Sequence, residues 1–242
     1  MTELICHVDS YIQDFTACVS DVQADQNIVV LDRTAFYPGG GGQPCDIGTL
    51  MLGGRTLAIS RVKRQGDDIL HQIEGELMLP LPQAGGEITG CVDWERRYRL
   101  MRTHTALHIL CGVVWRDYGA QVTGGNMEPL KGRMDFEFEA LRQELVQEIE
   151  AKVNAEVENG REVRVRFLPR AEAFEIPDLI RTKINLLPEG IEEIRTVEIV
   201  GLDLQADGGT HVANTREVGP IRVVDYKSKG RLNKRLHIEL VP

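Results

Sequence analysis

The hydrophobic pattern of the chain changes at residues 93–119, which read DWERRYRLMRTHTALHILCGVVWRDYG. Asp93 has the side chain of a helix N-cap, and Gly119 is a residue type that commonly ends helices. Between them, a 4-3-4-3-4 spacing typical of one helix face is formed by Leu100, His104, Leu107, Cys111, Val114 and Tyr118. The sequence therefore predicts a long helix whose stripe faces the interior.

Short strands are predicted before this helix, and a mixture of helix and strands after it. Apolar runs at residues 28–31, 47–52, 55–62 and 87–92 are typical of a small barrel or sandwich. Turn signals separate them at residues 53–54, 66–68, 79–82 and 85–86. After the helix, we expect a second helix at 140–158 and strands at 163–167, 194–200, 221–225 and 236–240. This order predicts an α+β protein with domains 1–90 and 91–242.

The composition excludes several classes of protein. The 242 residues include 42% hydrophobic ones, enough for a substantial core. A run of about 18 apolar residues, which a membrane span needs, is absent, and the first residues lack the pattern of a signal peptide. The five cysteines form no Cys-x-x-Cys pair, which indicates a reducing compartment. We therefore expect a soluble, cytoplasmic protein without a membrane partner.

Two histidines in the first helix are candidate metal ligands. His104 and His108 are four residues apart, which places them on one helix face about 5–6 Å apart at Cβ, and this suits two ligands of one metal ion. Thr105 stands where an HExxH protease has its glutamate, so that class of zinc protease is disfavoured. The alternative is that both are ordinary histidines of the core or the surface.

A second segment, residues 204–212, reads LQADGGTHV. Its paired glycines allow a sharp turn, so Asp207 and His211 could point to one centre. Together with the helical pair they offer three imidazoles and a carboxylate, a reasonable tetrahedral zinc set. Alternatively, this is an ordinary turn followed by an unrelated histidine.

A third segment, residues 32–44, reads DRTAFYPGGGGQP. Its four glycines leave backbone amides uncovered, so an anionic or carbonyl group could approach closely. It lacks the Gly-Lys-Ser/Thr of a Walker loop and the following helix of a dinucleotide-binding fingerprint. The alternative is a flexible or tight loop.

In this order, the three segments resemble the editing module of alanyl-tRNA synthetase, with the pattern (T)xFYPxGGGQPxDxG, then HxxxH, then xGGTHVxNTxEIG. The resemblance covers residues 34–48 and 104–219. Without an aminoacylation domain in 242 residues, the chain is similar to free-standing AlaX-type alanyl-tRNA editing proteins of medium length. The fold implied is a small N-terminal β-barrel domain and a C-terminal α/β editing domain with helices on an antiparallel sheet.

The resemblance implies one zinc ion per chain. In the family, HxxxH and CxxxH supply four ligands, which correspond here to His104, His108 and His211, with Asp207 in the cysteine position. Asp207 could bind zinc through an oxygen, or the fourth position could belong to water or substrate.

The implied activity is trans-editing: hydrolysis of the ester that links serine, and in some members glycine, to alanine tRNA. The candidate catalytic residues are Thr34, which would recognise the serine hydroxyl, and Gln43, which would position the ester or the attacking water. The candidate substrate-binding residues are Gly40, Gly41, Gly42 and Arg102.

The formal charge of −9 opposes binding to tRNA, so we expect the basic residues to gather on one face. Three basic clusters are candidates: Arg96, Arg97, Arg99 and Arg102; Arg61, Lys63 and Arg64; and Lys227, Lys229, Arg231, Lys234 and Arg235. The second helix would form the acidic surface, through Glu139, Glu144, Glu148, Glu150, Glu156 and Glu158. Two other functions remain open: an editing factor for another tRNA, such as threonine tRNA charged with serine, and a non-catalytic tRNA-binding module with structural zinc.

Overall fold

The computed structural model describes residues 1–75, 83–179 and 191–242. The chain forms two compact units, Met1–Tyr98 and Arg99–Pro242. The predicted turn at residues 79–82 lies outside the described residues, and the domain boundary at residue 90 stays a prediction. The predicted α+β class, with a barrel followed by helices packed on antiparallel sheets, is confirmed.

The first unit contains a closed antiparallel barrel with the strand order β2-β3-β7-β6-β5-β8. Its strands are β1 Glu3–Leu4, β2 Asp14–Gln23, β3 Ile28–Leu31, β4 Arg33–Thr34, β5 Gly48–Leu52, β6 Arg55–Gln65, β7 Asp68–Ile73 and β8 Glu87–Val92, and β1 pairs with β4 outside the barrel. Short 3-10 helices cover Ile5–His7 and Ala24–Gln26. Alternate residues of β2, beginning with Phe15, point into the core. A Cβ at Gly90 would lie 2.3 Å from the Phe15 ring, so this pairing needs a glycine.

A buried ion pair joins the segment around the glycine run to the start of the first helix, α1 Trp94–Tyr118. Arg97 and Asp46 are 0% and 1% exposed, and Arg97 Nε donates to both Asp46 oxygens at 3.0 Å. The guanidinium also donates to the carbonyls of Ser10 and Ala35, while Asp46 accepts from the Tyr37 N–H at 2.6 Å. The placement of Arg97 on a basic face was therefore wrong, because its charge is neutralised inside the barrel unit.

The second unit contains most of α1 and two antiparallel sheets. Its further elements are β9 Val122–Glu128, β10 Lys131–Glu137, α2 Gln143–Asn159, β11 Val163–Pro169, α3 Arg170–Glu175, β12 Glu193–Ile199, β13 Asp203–Ala206, a 3-10 helix Thr215–Val218, β14 Ile221–Ser228 and β15 Asn233–Leu240. The strand orders are β14-β15-β10-β9 and β11-β12-β13. None of the helices in the described ranges is long and apolar enough to cross a membrane.

Two glycines allow α1 to approach both sheets closely. A Cβ at Gly132 on β10 would meet Leu107 at 3.0 Å, and a Cβ at Gly112 on α1 would meet Leu202 at 2.9 Å and Asp203 at 3.1 Å. The Leu130 N–H also donates to Thr103 on the helix at 2.9 Å. The close approach at Gly112 brings the face of α1 that carries the histidine pair against β13.

The second helix is amphipathic as predicted, but its acidic surface is smaller than expected. It ends at Gly160, which has a positive φ of 65°. Glu156 is only 5% exposed, and its two oxygens accept from Arg116 and Arg161 at 2.5 Å. Assigning Glu156 to a solvated acidic face was therefore wrong.

Candidate functional site

The four predicted metal ligands converge in the second unit. One donor atom from each of His104, His108, Asp207 and His211 can be chosen so that all lie within 4.8 Å of one another. The Asp207 carboxylate lies 3.1 Å from Nε2 of His211, 3.4 Å from Nε2 of His104 and 3.8 Å from Nε2 of His108. The three histidines are at most 6% exposed. The distances and burial are those of a site that could hold one metal ion.

Residues that the sequence did not indicate orient two of the imidazoles. His108 Nδ1 lies 2.9 Å from an Asp203 oxygen, which also accepts from Gln205 Nε2 at 2.7 Å. Because a carboxylate only accepts, Nδ1 carries a proton, and Nε2 is the nitrogen that would bind a cation in the cluster. Thr105 Oγ1 contacts Nδ1 of His211 at 3.2 Å, so the Nε2 of that ring also faces Asp207.

The turn after β13 holds the Asp207 side chain in place. The Gly209 N–H donates to Asp207 Oδ1 at 2.6 Å, and Arg195 donates to the Asp207 carbonyl at 2.7 Å. The glycines of the Asp-Gly-Gly sequence thus form a tight turn that returns the chain to His211. This local geometry allows an aspartate to reach the three imidazoles.

The electrostatics of the cluster favour a bound cation. Burial would raise the pKa of the Asp207 carboxyl, but the charge of His104 and hydrogen bonds from the imidazoles hold it well below its usual range. Burial would lower the pKa of His108, but hydrogen bonds to Asp203 and Asp207 raise it to about 9. Burial and the neighbouring His104 lower the pKa of His211. A bound divalent cation would replace the imidazole protons that now neutralise the negative charge of the Asp203 and Asp207 carboxylates.

We expect Asp203→Ala to weaken the affinity for added zinc about 10- to 100-fold, because the residues that hydrogen-bond to the ligands of a metal site fix their orientation. Asp203→Asn should weaken it less, since the amide oxygen can still accept from Nδ1 of His108. Competition with a chromogenic chelator measures both affinities. An unchanged affinity in Asp203→Ala would show that His108 does not depend on Asp203.

The glycine run of the first unit is a tight turn. Gly39, Gly40, Gly41 and Gly42 all have positive φ, of 83°, 140°, 57° and 88°, a region that favours glycine. The Gly40 N–H donates to the Gln43 carbonyl at 3.1 Å, and the Gln43 N–H donates back at 2.9 Å. The tip is exposed at Gly40 and Gly41, whereas Gln43 is buried.

Thr34, in the same unit, is fully buried beside a histidine that the sequence did not indicate. Thr34 Oγ1 lies 2.9 Å from His71 Nε2 and accepts from the Phe36 N–H at 3.1 Å. His71 Nδ1 lies 3.1 Å from the Val29 carbonyl, so Nδ1 is the donor and Nε2 accepts the Thr34 proton. The Thr34 hydroxyl is therefore held with its proton committed and one lone pair left to accept a further hydrogen bond.

Acidification should destabilise the first unit through His71. Burial lowers its pKa from 6.5 to about 4, so the unfolded state binds the proton first as the pH falls. Between pH 6.5 and 4 this removes roughly 3 kcal/mol of stability. Urea unfolding across this pH range should show the loss in the wild type relative to His71→Gln, which carries no titrating group. A constant difference between the two proteins would contradict the lowered pKa.

Arg102, on α1 in the second unit, is held by main-chain carbonyls. Its guanidinium donates to the Val218 carbonyl at 2.9 Å and to the Val241 carbonyl at 2.6 Å. The structure thus assembles the metal cluster in one unit and places Thr34, the glycines and Gln43 on one segment of the other. The roles assigned to these residues stay predictions.

Comparisons with known proteins agree with the geometry. Residues 2–96 match the family described as tRNA synthetases class II (A), and residues 194–237 match the threonyl and alanyl tRNA synthetase second additional domain. Proteins named alanyl-tRNA editing protein AlaX-M from Saccharolobus solfataricus and Methanosarcina barkeri are 39% and 37% identical, each over 100% of both chains. An alanine–tRNA ligase of Ignicoccus hospitalis is 37% identical over 93% of this chain and 24% of its own. The chain belongs to the family of AlaX-M alanyl-tRNA editing proteins.

Proposed function

We propose that this chain is a trans-editing enzyme that hydrolyses the ester of seryl-tRNA(Ala), and of glycyl-tRNA(Ala) as a second substrate, with one zinc ion. As a member of this family, the chain is an aminoacyl-tRNA deacylase, which is a type of hydrolase. The observation that carries the proposal is the convergence of three imidazoles and the Asp207 carboxylate in one buried cluster. The chain matches AlaX-M proteins over their full length but matches only 24% of an alanine–tRNA ligase. This difference supports action in trans.

The donor set fits zinc without a cysteine. Three Nε2 atoms and one carboxylate oxygen are ordinary zinc ligands, and Asp203 and Thr105 already hold two rings in the required orientation. When bound, zinc would supply a Lewis acid that polarises the ester carbonyl or activates water. The chain itself holds the donor atoms and excludes bulk water from them.

The first unit would contribute recognition. An alanine pocket cannot reject the smaller glycine sterically, and serine differs only by a hydroxyl, so a second site must sort these amino acids. The exposed Gly40 and Gly41 leave room for an acyl or phosphate group to approach the backbone. Gln43 would position the ester or the attacking water. Arg102, in the second unit, would attract negatively charged groups of the substrate.

Deacylation assays test the proposal directly. Alanine tRNA charged with serine, glycine or alanine is incubated with the protein, with and without a chelator. We expect rapid loss of serine, slower loss of glycine, little loss of alanine, and restoration of chelated enzyme by zinc.

Other outcomes would favour other functions. Turnover of seryl-tRNA(Thr) without turnover of seryl-tRNA(Ala) would favour an editing factor for threonine tRNA, which is relevant because the matched domain is named for both synthetases. Binding of tRNA without turnover of any ester would favour a binding module with structural zinc.

The hydroxyl of Thr34 gives the specificity test. Because its proton is committed to His71, it would accept a hydrogen bond from the serine hydroxyl. Thr34→Val should lower the ratio of kcat/KM for seryl- over glycyl-tRNA(Ala) about tenfold, the value of one neutral hydrogen bond. Thr34 is fully buried here, so contact with substrate requires its surroundings to shift. The exposed Thr56→Val is the matched control, and full serine selectivity in Thr34→Val would exclude this role.

A further inference from the structure

The three basic clusters of the sequence differ in how many of their cations are bound by carboxylates or carbonyls of the protein. In the first, Arg97 is buried against Asp46, and Arg102 is bound to main-chain carbonyls. Arg96 donates to the Cys45 carbonyl at 3.3 Å. These guanidiniums serve mainly to hold the chain together.

In the cluster near the C-terminus, three of the five cations are bound by other groups of the protein. Lys227 pairs with Asp225 at 2.8 Å, and Arg235 pairs with Asp135 at 2.6 Å. Lys234 is 6% exposed, and its ammonium donates to the carbonyls of Gly230 and Arg231 at 2.8 Å. Lys229 and Arg231, in the connection between β14 and β15, are exposed and have no side-chain partner among the described residues, so this cluster keeps two of its five charges.

The remaining cluster keeps its charge. Arg61, Lys63 and Arg64, which we call the basic strip, lie on β6 and are all exposed. In residues 1–75, 83–179 and 191–242, none of the three side chains has an ion-pair or hydrogen-bond partner. The flanking β5 carries no charged residue, and Asp68 on β7 pairs with the terminal amine at 3.3 Å.

Strand geometry places two of these charges on the same face. Arg61 and Lys63 are two residues apart on one strand, so they share a face about 6–7 Å apart. Arg64 lies on the alternate face, but it is exposed at the end of β6, next to the turn at Gly66. A row of exposed cations of this kind matches the repeating phosphates of a nucleic-acid backbone.

We propose that the basic strip binds the phosphate backbone of tRNA, an inference that rests on the proposed function. A chain with a formal charge of −9 repels RNA at long range, so its affinity must come from a local group of uncompensated cations. The strip contacts phosphates and not base edges, so it supplies affinity and orientation without reading sequence.

The test compares two triple variants with the same change in charge. Arg61→Gln/Lys63→Gln/Arg64→Gln neutralises the strip. The control Lys131→Gln/Arg164→Gln/Lys227→Gln removes three exposed cations that are paired with Glu239, Glu162 and Asp225. Binding of uncharged tRNA(Ala) is followed by fluorescence anisotropy over a range of salt concentrations, and thermal unfolding verifies that both variants fold.

We expect the strip variant to bind about tenfold or more weakly at low salt. The slope of log affinity against log salt should fall by about 2 to 3, because each phosphate contact contributes about 0.7–0.9. The control should keep the wild-type slope. A strip variant with the wild-type slope, or a control that loses as much, would overturn the proposal.

The outcomes separate this inference from the proposed function. If the wild type binds tRNA with a salt slope that depends on the strip but deacylates no ester, the strip stands and the editing activity fails. If the wild type deacylates seryl-tRNA(Ala) while the strip variant keeps the wild-type slope, the activity stands and the strip fails.

Discussion

Under the proposed function, replacing His104 with alanine is expected to remove zinc from the protein and to slow deacylation of seryl-tRNA(Ala) by about 1000-fold or more. The His104 Nε2 lies 3.4 Å from Asp207, and its ring centroid lies 4.2 Å from that of His211. Without it, two imidazoles and one carboxylate remain, too few for a closed site. Metal content after dialysis and single-turnover deacylation measure the two effects.

His237→Ala is the matched control, because His237 lies on β15 outside the metal cluster. It should retain both zinc and activity. Since loss of zinc could also unfold the second unit, His104→Gln, which keeps most of the side-chain volume, is compared by circular dichroism. A folded His104 variant that keeps its zinc or its rate would contradict the assignment of the cluster as the metal site.

The elements that could be predicted are those whose pattern is local. The first helix was located within a residue at each end, since capping residues and a regular apolar stripe lie within its own sequence. Strands β2, β7, β9, β10 and β13 were missed, as were the two-residue strands β1 and β4. Gly124 and Gly125 interrupt β9, and the inward positions of β2 combine the large Phe15 with the small Ala17, so neither strand contains a continuous apolar run. β9 and β10 pair with each other across the turn at residues 129–130, but the second partner of β10 is β15 and one partner of β2 is β8, both distant in the sequence.

The residues of the candidate site were likewise predictable only where their sequence signal is local. The four candidate ligands could be picked out because both i, i+4 pairs are local, and the structure brings them together. Asp203 and Thr105 were missed, since a polar residue in a strand or helix shows nothing of which ring it will touch. His71 had no sequence signal because Thr34 lies 37 residues away. Arg97 was misassigned for the same reason, as Asp46 lies 51 residues away.

The buried pair of Arg97 and Asp46 leads to the largest expected effect on stability. Asp46→Asn keeps the size and shape of the side chain but removes the negative charge opposite a guanidinium that is 0% exposed. An uncompensated buried charge lowers the free energy of unfolding by about 3–5 kcal/mol. The carbonyls of Ser10 and Ala35 still accept from Arg97, but they supply only partial charges. We therefore expect a lower midpoint in urea at pH 7.

The paired control for this experiment is Asp225→Asn, which removes one carboxylate from an exposed ion pair with Lys227. Water screens that pair, so its loss should change the free energy of unfolding little. Both variants change one carboxylate to an amide, and they differ mainly in burial. A similar small effect in both would mean that the Arg97 charge reaches solvent. A large effect confined to Asp46→Asn would mean that the fold of the segment carrying Thr34, the glycine turn and Gln43 depends on a charge provided by the first turn of α1.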